Sequence, residues 1–151
     1  MKKTLLLADE AASLEYAKRF AGTLSAPLVV YLTGELGAGK TFFTRGVLRG
    51  LGYQGAVKSP TYTLVESYQL ALGDIHHFDL YRIADAEELD YIGLDHYFTG
   101  HSIVFIEWPS RGAGVLPEAD ILLEFHHLER GRELIVSAIS ERGRDILQKS
   151  V

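Results

Sequence analysis

Eight consecutive residues, Gly34-Glu35-Leu36-Gly37-Ala38-Gly39-Lys40-Thr41, satisfy the pattern GxxxxGK[ST] at every required position. That spacing specifies a chemistry. Glycines let backbone N–H groups close around phosphate oxygens, the lysine reaches the β- and γ-phosphates, and the hydroxyl holds Mg²⁺. At ordinary glycine frequency a chance match in a chain this long is roughly a one-in-several-hundred event. The nucleotide-contacting set expected from the loop is Gly34, Glu35, Leu36, Gly37, Ala38, Gly39, Lys40, Thr41 and Phe42. Phe42 stands where many such loops carry a second hydroxyl, which leaves only a backbone N–H for the α-phosphate side.

A loop of this kind works with an acidic residue at the end of a neighbouring apolar strand, which holds the metal or its water. Two residues fit. Glu107 follows Ile103-Val104-Phe105-Ile106, which reads as a Walker B-type strand. Asp79 lies in His77-Phe78-Asp79-Leu80-Tyr81-Arg82, near the end of another apolar run. Lys40, Asp79 and Glu107 are the candidate catalytic residues, and either carboxylate could hold the metal beside Thr41, whose hydroxyl is the loop's own candidate Mg²⁺ ligand. Ser59-Pro60-Thr61-Tyr62-Thr63 falls where many nucleotide hydrolases keep a segment that senses the γ-phosphate. Thr61 is its candidate contact, and a plain proline turn is the alternative. Trp108, the single tryptophan, directly follows Glu107; core packing and a nucleotide or partner contact both remain open.

Of the six histidines, His76-His77 and His126-His127 are adjacent on strand-like runs. Neighbours on a strand point to opposite faces and do not readily share one ion. A structural or solvent role is expected for most, and His77 is singled out only by its place near Asp79.

These groups need a strand before the loop and a helix after it. Residues 28–32, opened by Pro27, form a short apolar run that reads as a buried strand. Phe43, Val47 and Leu51 recur at i, i+4 and i+8, with Gly52 at the expected helix stop. Elsewhere, residues 2–7 suit a first strand, and Asp9 or Ser13 a cap for a helix to about Leu24. Residues 64–72 and 75–81 suit a hairpin around Gly73-Asp74. A short helical piece follows Asp85 and closes at Gly93. Residues 102–106 form another apolar strand, residues 121–125 and 133–139 a second hairpin around Arg130-Gly131, and residues 141–149 a last helix. The expected fold is α/β, a P-loop NTPase-like mixed sheet flanked by helices, partly parallel with antiparallel hairpins at one side. One domain is expected across residues 1–151.

Bulk properties exclude several classes. The 47% apolar content points to a globular chain. Zero cysteines rule out a disulfide framework, a thiolate nucleophile and a Cys-based zinc site. A net charge of −5 argues against nucleic acid as the main, electrostatically held ligand. Residues 1–8 briefly imitate a signal peptide, but Asp9-Glu10 interrupts the apolar stretch, and no run approaches the ~18 residues of a membrane span. A cytoplasmic, membrane-free location is expected.

Assembled, these segments resemble the TsaE family, small bacterial ATPases of tRNA threonylcarbamoyladenosine biosynthesis. The resemblance rests on the loop, on Lys58-Ser59-Pro60-Thr61-Tyr62-Thr63-Leu64, on His77-Phe78-Asp79-Leu80-Tyr81-Arg82 and on Ile106-Glu107-Trp108-Pro109, in order across about residues 30–120. Phe42 departs from the family's usual second Thr. The resemblance implies ATP and Mg²⁺ as cofactors and hydrolysis within a complex with TsaB and TsaD. The tRNA, modified at adenosine 37, would be reached indirectly through that complex. It also implies Thr41 and Glu107 at the metal, Asp79 and Trp108 in the hydrolysis or partner-facing region, and Thr61 in a switch-like segment.

Two other readings share the same motifs: a nucleotide-sensing adaptor without productive hydrolysis, and a small-molecule kinase. The kinase reading lacks an arginine-rich lid, and a GTPase lacks any [NT]KxD motif. No catalytic glutamine or arginine finger announces itself; Arg82 and Arg111 are the nearest candidates. Slow hydrolysis by the isolated chain is the expected consequence.

Overall fold

The structure is a computed structural model and describes residues 1–149. In chain order the elements are β1 (Lys2–Leu7), α1 (Glu10–Ala21), β2 (Leu28–Thr33), α2 (Lys40–Gly50), β3 (Val65–Leu70), β4 (Gly73–Asp79), β5 (Ser102–Glu107), β6 (Ile121–His127), β7 (Arg132–Ala138) and α3 (Glu141–Gln148). Short 3₁₀ turns at Ala86–Ile92, Leu94–Tyr97 and Pro109–Gly112 complete the connections. The helical piece expected after Asp85 is the first of these. It starts with a capping box, in which Asp85 accepts from the Glu87 N–H and Glu88 accepts from the Asp85 N–H.

The strands form one seven-stranded sheet in the order β1-β7-β6-β2-β5-β4-β3. Its centre, β6-β2-β5-β4, is parallel. Antiparallel pairs flank that centre on both sides, β3–β4 at one edge and β6–β7–β1 at the other, whereas one side was expected. The reason is chain length: short loops at Gly73 and Gly131 permit only hairpins, while the longer connections permit parallel crossovers.

Strand periodicity divides the core. Leu28, Val30 and Leu32 of β2, Ile75 of β4, Ile103 and Phe105 of β5, and Leu134 and Val136 of β7 face one side. There they meet α1, α2 and α3 through Ala17, Phe20, Phe43, Val47 and Ile146. Phe43 bridges helix and sheet, with ring centroids 5.8 Å from Phe20 and 5.5 Å from Phe125. The opposite parity, including Phe78, Val104 and Ile106, buries a smaller cluster with Leu80, Ile83 and Leu89. On the helix-covered face, two apolar columns turn polar at the strand ends: Ile75 gives way to His77 and Asp79, and Ile103 and Phe105 give way to Glu107. These titratable groups thereby gather at the carboxyl end of a parallel sheet, the end at which such sheets bind ligands.

Candidate phosphate-binding site

β2 ends at Thr33, and the chain turns at Gly34 with φ +140°. A Cβ there would lie 2.5 Å from the Phe125 carbonyl oxygen, so β6 itself demands glycine. Gly37 and Gly39 differ. Their φ values of +76° and +104° favour glycine, but a Cβ at either meets no heavy atom within 4 Å. Gly39 is also the N-cap of α2 and provides no side-chain cap. The first-turn N–H groups of α2 therefore lack a side-chain acceptor, the arrangement by which helix N-termini bind anions. Arg132 braces the loop from β7, its Nε donating to the Ala38 carbonyl and its Nη2 to the Gly37 carbonyl, each at 3.2 Å.

Lys40 is 4% exposed. Its Nζ donates to the Gly34 carbonyl at 2.5 Å and lies 4.0 Å from the Trp108 ring centroid, a cation–π contact. Burial lowers the Lys40 pKa, while Glu107 and Asp79 pull the other way. Thr41 Oγ1 donates to Glu107 Oε2 at 2.8 Å, and the same oxygen accepts from His77 Nε2 at 2.6 Å. Asp79 stands directly opposite Glu107 in the β4–β5 ladder. Its Oδ1 accepts from the Tyr81 N–H at 3.0 Å, and its Oδ2 accepts a longer bond, 3.4 Å, from Thr61 Oγ1. Burial raises the Asp79 pKa and Glu107 adds to the rise; the Tyr81 N–H, His77 and Lys40 oppose it. Thr61 is tied in turn to Ser59 Oγ at 2.8 Å.

The expected set thus converges. Lys40, Thr41, Asp79, Glu107, Thr61 and Trp108 occupy one contiguous network, joined by the contacts above. Trp108 is half-buried, packed against the smaller core cluster as well as the lysine, and holds a left-handed backbone, φ +59°. Tyr81 packs beside it at 5.0 Å. Phe42 faces away from this network into a cavity of about 690 Å³ along the second half of the loop, shared with Leu7, Asp9, Gly39 and Arg132. A second cavity of about 550 Å³ adjoins the first half, between Glu35, Trp108, Ser110 and His127. Arg82 lies over the Tyr62 ring at 4.3 Å, and Arg111 donates to the Ile83 carbonyl. Both are engaged away from Lys40.

One contributor to the loop's shape was not signalled by the sequence, and another was signalled with a different partner. Arg132 acts on the loop from 94 residues away, with no local signal beyond its place after Gly131. His77 was noted for its proximity to Asp79, yet its hydrogen bond goes to Glu107 across the ladder. His76 faces the other way, bonded to Ser67 Oγ at 2.7 Å and packed edge-on against Tyr97; burial lowers its pKa.

A parallel strand–loop–helix unit on a mixed sheet, with a strand-end carboxylate bonded to the loop hydroxyl, defines a fold of the P-loop NTPase class. Within that class, the family model described as threonylcarbamoyl adenosine biosynthesis protein TsaE matches residues 7–134, and the chain belongs to the TsaE family. The match extends beyond the resembling segments to include the end of β1 and the start of β7. A Haemophilus influenzae protein named tRNA threonylcarbamoyladenosine biosynthesis protein TsaE is 48% identical over 149 residues, covering 95% of this chain and 94% of that protein. A Bacillus subtilis protein of the same name is 36% identical over 115 residues, covering 76% and 72%. The crystal structure of YdiB from Bacillus subtilis superposes with a TM-score of 0.85 at 26% identity, over 99% of this chain and 94% of that one.

Proposed function

We propose that this protein is a Mg²⁺-dependent ATPase, slow alone, that acts with TsaB and TsaD in forming the threonylcarbamoyl group on tRNA adenosine. The observation carrying the reading is the 2.8 Å bond from Thr41 Oγ1 to Glu107 Oε2. It brings the hydroxyl of the loop and the carboxylate of the neighbouring strand, two hard oxygen donors, to one place. Mg²⁺ takes few protein ligands and completes its shell with phosphates and water, so this pair suits it. The names of the relatives supply the pathway, and the cytoplasm is the compartment we infer for it.

Thr41 and Glu107 would hold the metal, which when bound neutralises charge on the terminal phosphates. The loop N–H groups from Gly37 to Phe42 would bind the phosphate oxygens, and Lys40 would add the cation. Trp108 covers Lys40 and keeps water from its ammonium. Asp79, with its raised pKa and its Thr61 contact, is placed to orient a water or accept its proton at Oδ2. The cavity beside Phe42 sets the apolar Leu7, Phe42 and Phe125 beside the polar Asp9, Ser13 and Arg132, room and chemistry that suit the nucleoside. Since Arg82 and Arg111 are engaged elsewhere, stabilisation of the transition state would await a rearrangement on binding the partners.

The test is an ATPase assay with and without the TsaB–TsaD pair, together with an assay of modified tRNA. Turnover that rises with the pair supports the reading; turnover that stays at background in both conditions removes it. Glu107→Ala separates hydrolysis from sensing. A variant that binds ATP yet fails to support modification indicates that hydrolysis is needed, whereas full modification indicates an adaptor.

A further inference from the structure

The geometry points to His77 as the positioning residue of the metal-holding carboxylate, an inference that rests on the reading above. His77 is 1% exposed, and its Nε2 meets Glu107 Oε2 at 2.6 Å. In the ladder, His77 pairs with Phe105, so its ring reaches diagonally to the residue two further along β5. The directly opposed residue, Asp79, cannot do this work, because it is itself a carboxylate and like charges facing each other repel.

Glu107 needs such a partner. The terminal torsion of a glutamate is broad and roughly two-fold, so one hydrogen bond leaves the carboxylate free to swivel. Thr41 supplies one bond, from a hydroxyl in the first turn of α2. His77 supplies the second, from an N–H on a ring fixed in the sheet. Both fall on Oε2, which fixes the plane of the group and faces it toward Thr41. Lys40 competes for the same carboxylate electrostatically, and Glu107 is its leading counter-charge. A carboxylate released from His77 would turn toward that ammonium and away from the cation site. Hydrogen bonds to ligating carboxylates matter on this scale: their loss typically costs about 10–100-fold in metal affinity.

The experiment uses the full chain, ATP, and Trp108 fluorescence as the reporter, because the ring lies 4.0 Å from Lys40 Nζ. ATP affinity is measured in EDTA, and the Mg²⁺ concentration giving half-maximal response is measured at fixed ATP. For His77→Leu, the affinity in EDTA stays within about twofold of the parent, while the Mg²⁺ midpoint rises about 10–100-fold. His77→Gln, whose amide reaches as far as Nε2, restores the midpoint to within a few-fold; His77→Asn, too short to reach, does not. A merely structural role would lower affinity in EDTA and Mg²⁺ alike. An unchanged midpoint in folded His77→Leu overturns the proposal. Should that variant fail to fold, equal midpoints in the Gln and Asn variants overturn it instead. A parent protein that shows no Mg²⁺ response at all defeats the ATPase reading, a result separable from any difference among the variants.

Discussion

Asp79 and Glu107 face one another across adjacent parallel strands at the carboxyl end of the sheet. Both are buried, and the pKa of Asp79 is raised by burial and by the charge of Glu107. A carboxyl that binds its proton more tightly in the native state costs stability as pH rises through the window above its ordinary value of 3.8. Below that value both states are protonated and the cost vanishes; above the raised pKa it is fully present. Asp79→Asn should therefore stabilise the protein at pH 7 by about 0.5–2 kcal/mol, with the gain shrinking as pH approaches 4. Lys40, whose pKa is lowered, acts with the opposite slope at alkaline pH, so urea midpoints between pH 4 and 7.5 keep the two apart. A variant no more stable than the parent at pH 7 would contradict this account. The gain should come with lost turnover, as expected where a site stores repulsion for function.

Gly34 and Gly37 should fail for different reasons. Gly37→Ala places a methyl in open space and carries only the left-handed penalty, about 1–2 kcal/mol. Gly34→Ala adds a collision with the Phe125 carbonyl to a φ that almost only glycine adopts, so about 3 kcal/mol or more is expected. Chemical denaturation of the ligand-free proteins reads both. Equal losses would show that φ alone sets the cost.

Much of this arrangement was legible because its signals are local. The loop pattern, the apolar run ending in Glu107 and the hydroxyl after Pro60 each announce a role within a few residues. The strand ends of β4 and β5 were legible for the same reason. What was not legible depends on pairing. Nothing near Arg132 says that it will reach Gly37, since that contact exists only once β7 has folded back beside β6. The bond from His77 to Glu107 needs the parallel register of β4 and β5, which separates the two residues by 30 positions in sequence. Trp108 stayed undecided because a tryptophan beside a strand end fits a core or a site equally well, and in the structure its ring meets both the smaller core cluster and Lys40.

The left-handed turn before Pro109 should be measurable. Trp108 holds φ +59° and ψ +51°, a conformation that costs a residue with a Cβ about 1–2 kcal/mol. Among truncations, Trp108→Gly should then be more stable than Trp108→Ala by about 1 kcal/mol, the reverse of the usual order in regular structure. Both should loosen Lys40, whose ammonium loses the ring at 4.0 Å. Denaturation midpoints for the pair decide the matter, and an alanine variant equal to or better than glycine would refute the strain.

Arg132 is the least expected contributor to the loop. It is the one side chain on β7 that donates to loop carbonyls among the described residues, and it uses two separate guanidinium nitrogens to do so. A lysine keeps the charge but offers a single point of donation on a flexible stem, so it cannot hold Ala38 and Gly37 together. Arg132→Lys should leave the fold near its parent stability, because α2 and the sheet carry the core. The loop, however, would lose the brace that sets its curvature, and nucleotide affinity should fall about tenfold, equivalent to about 1.4 kcal/mol. Calorimetric titration of ATP into both proteins measures this directly. Unchanged affinity in the lysine variant would mean that the glycine geometry and the Lys40–Gly34 contact shape the loop without help from β7.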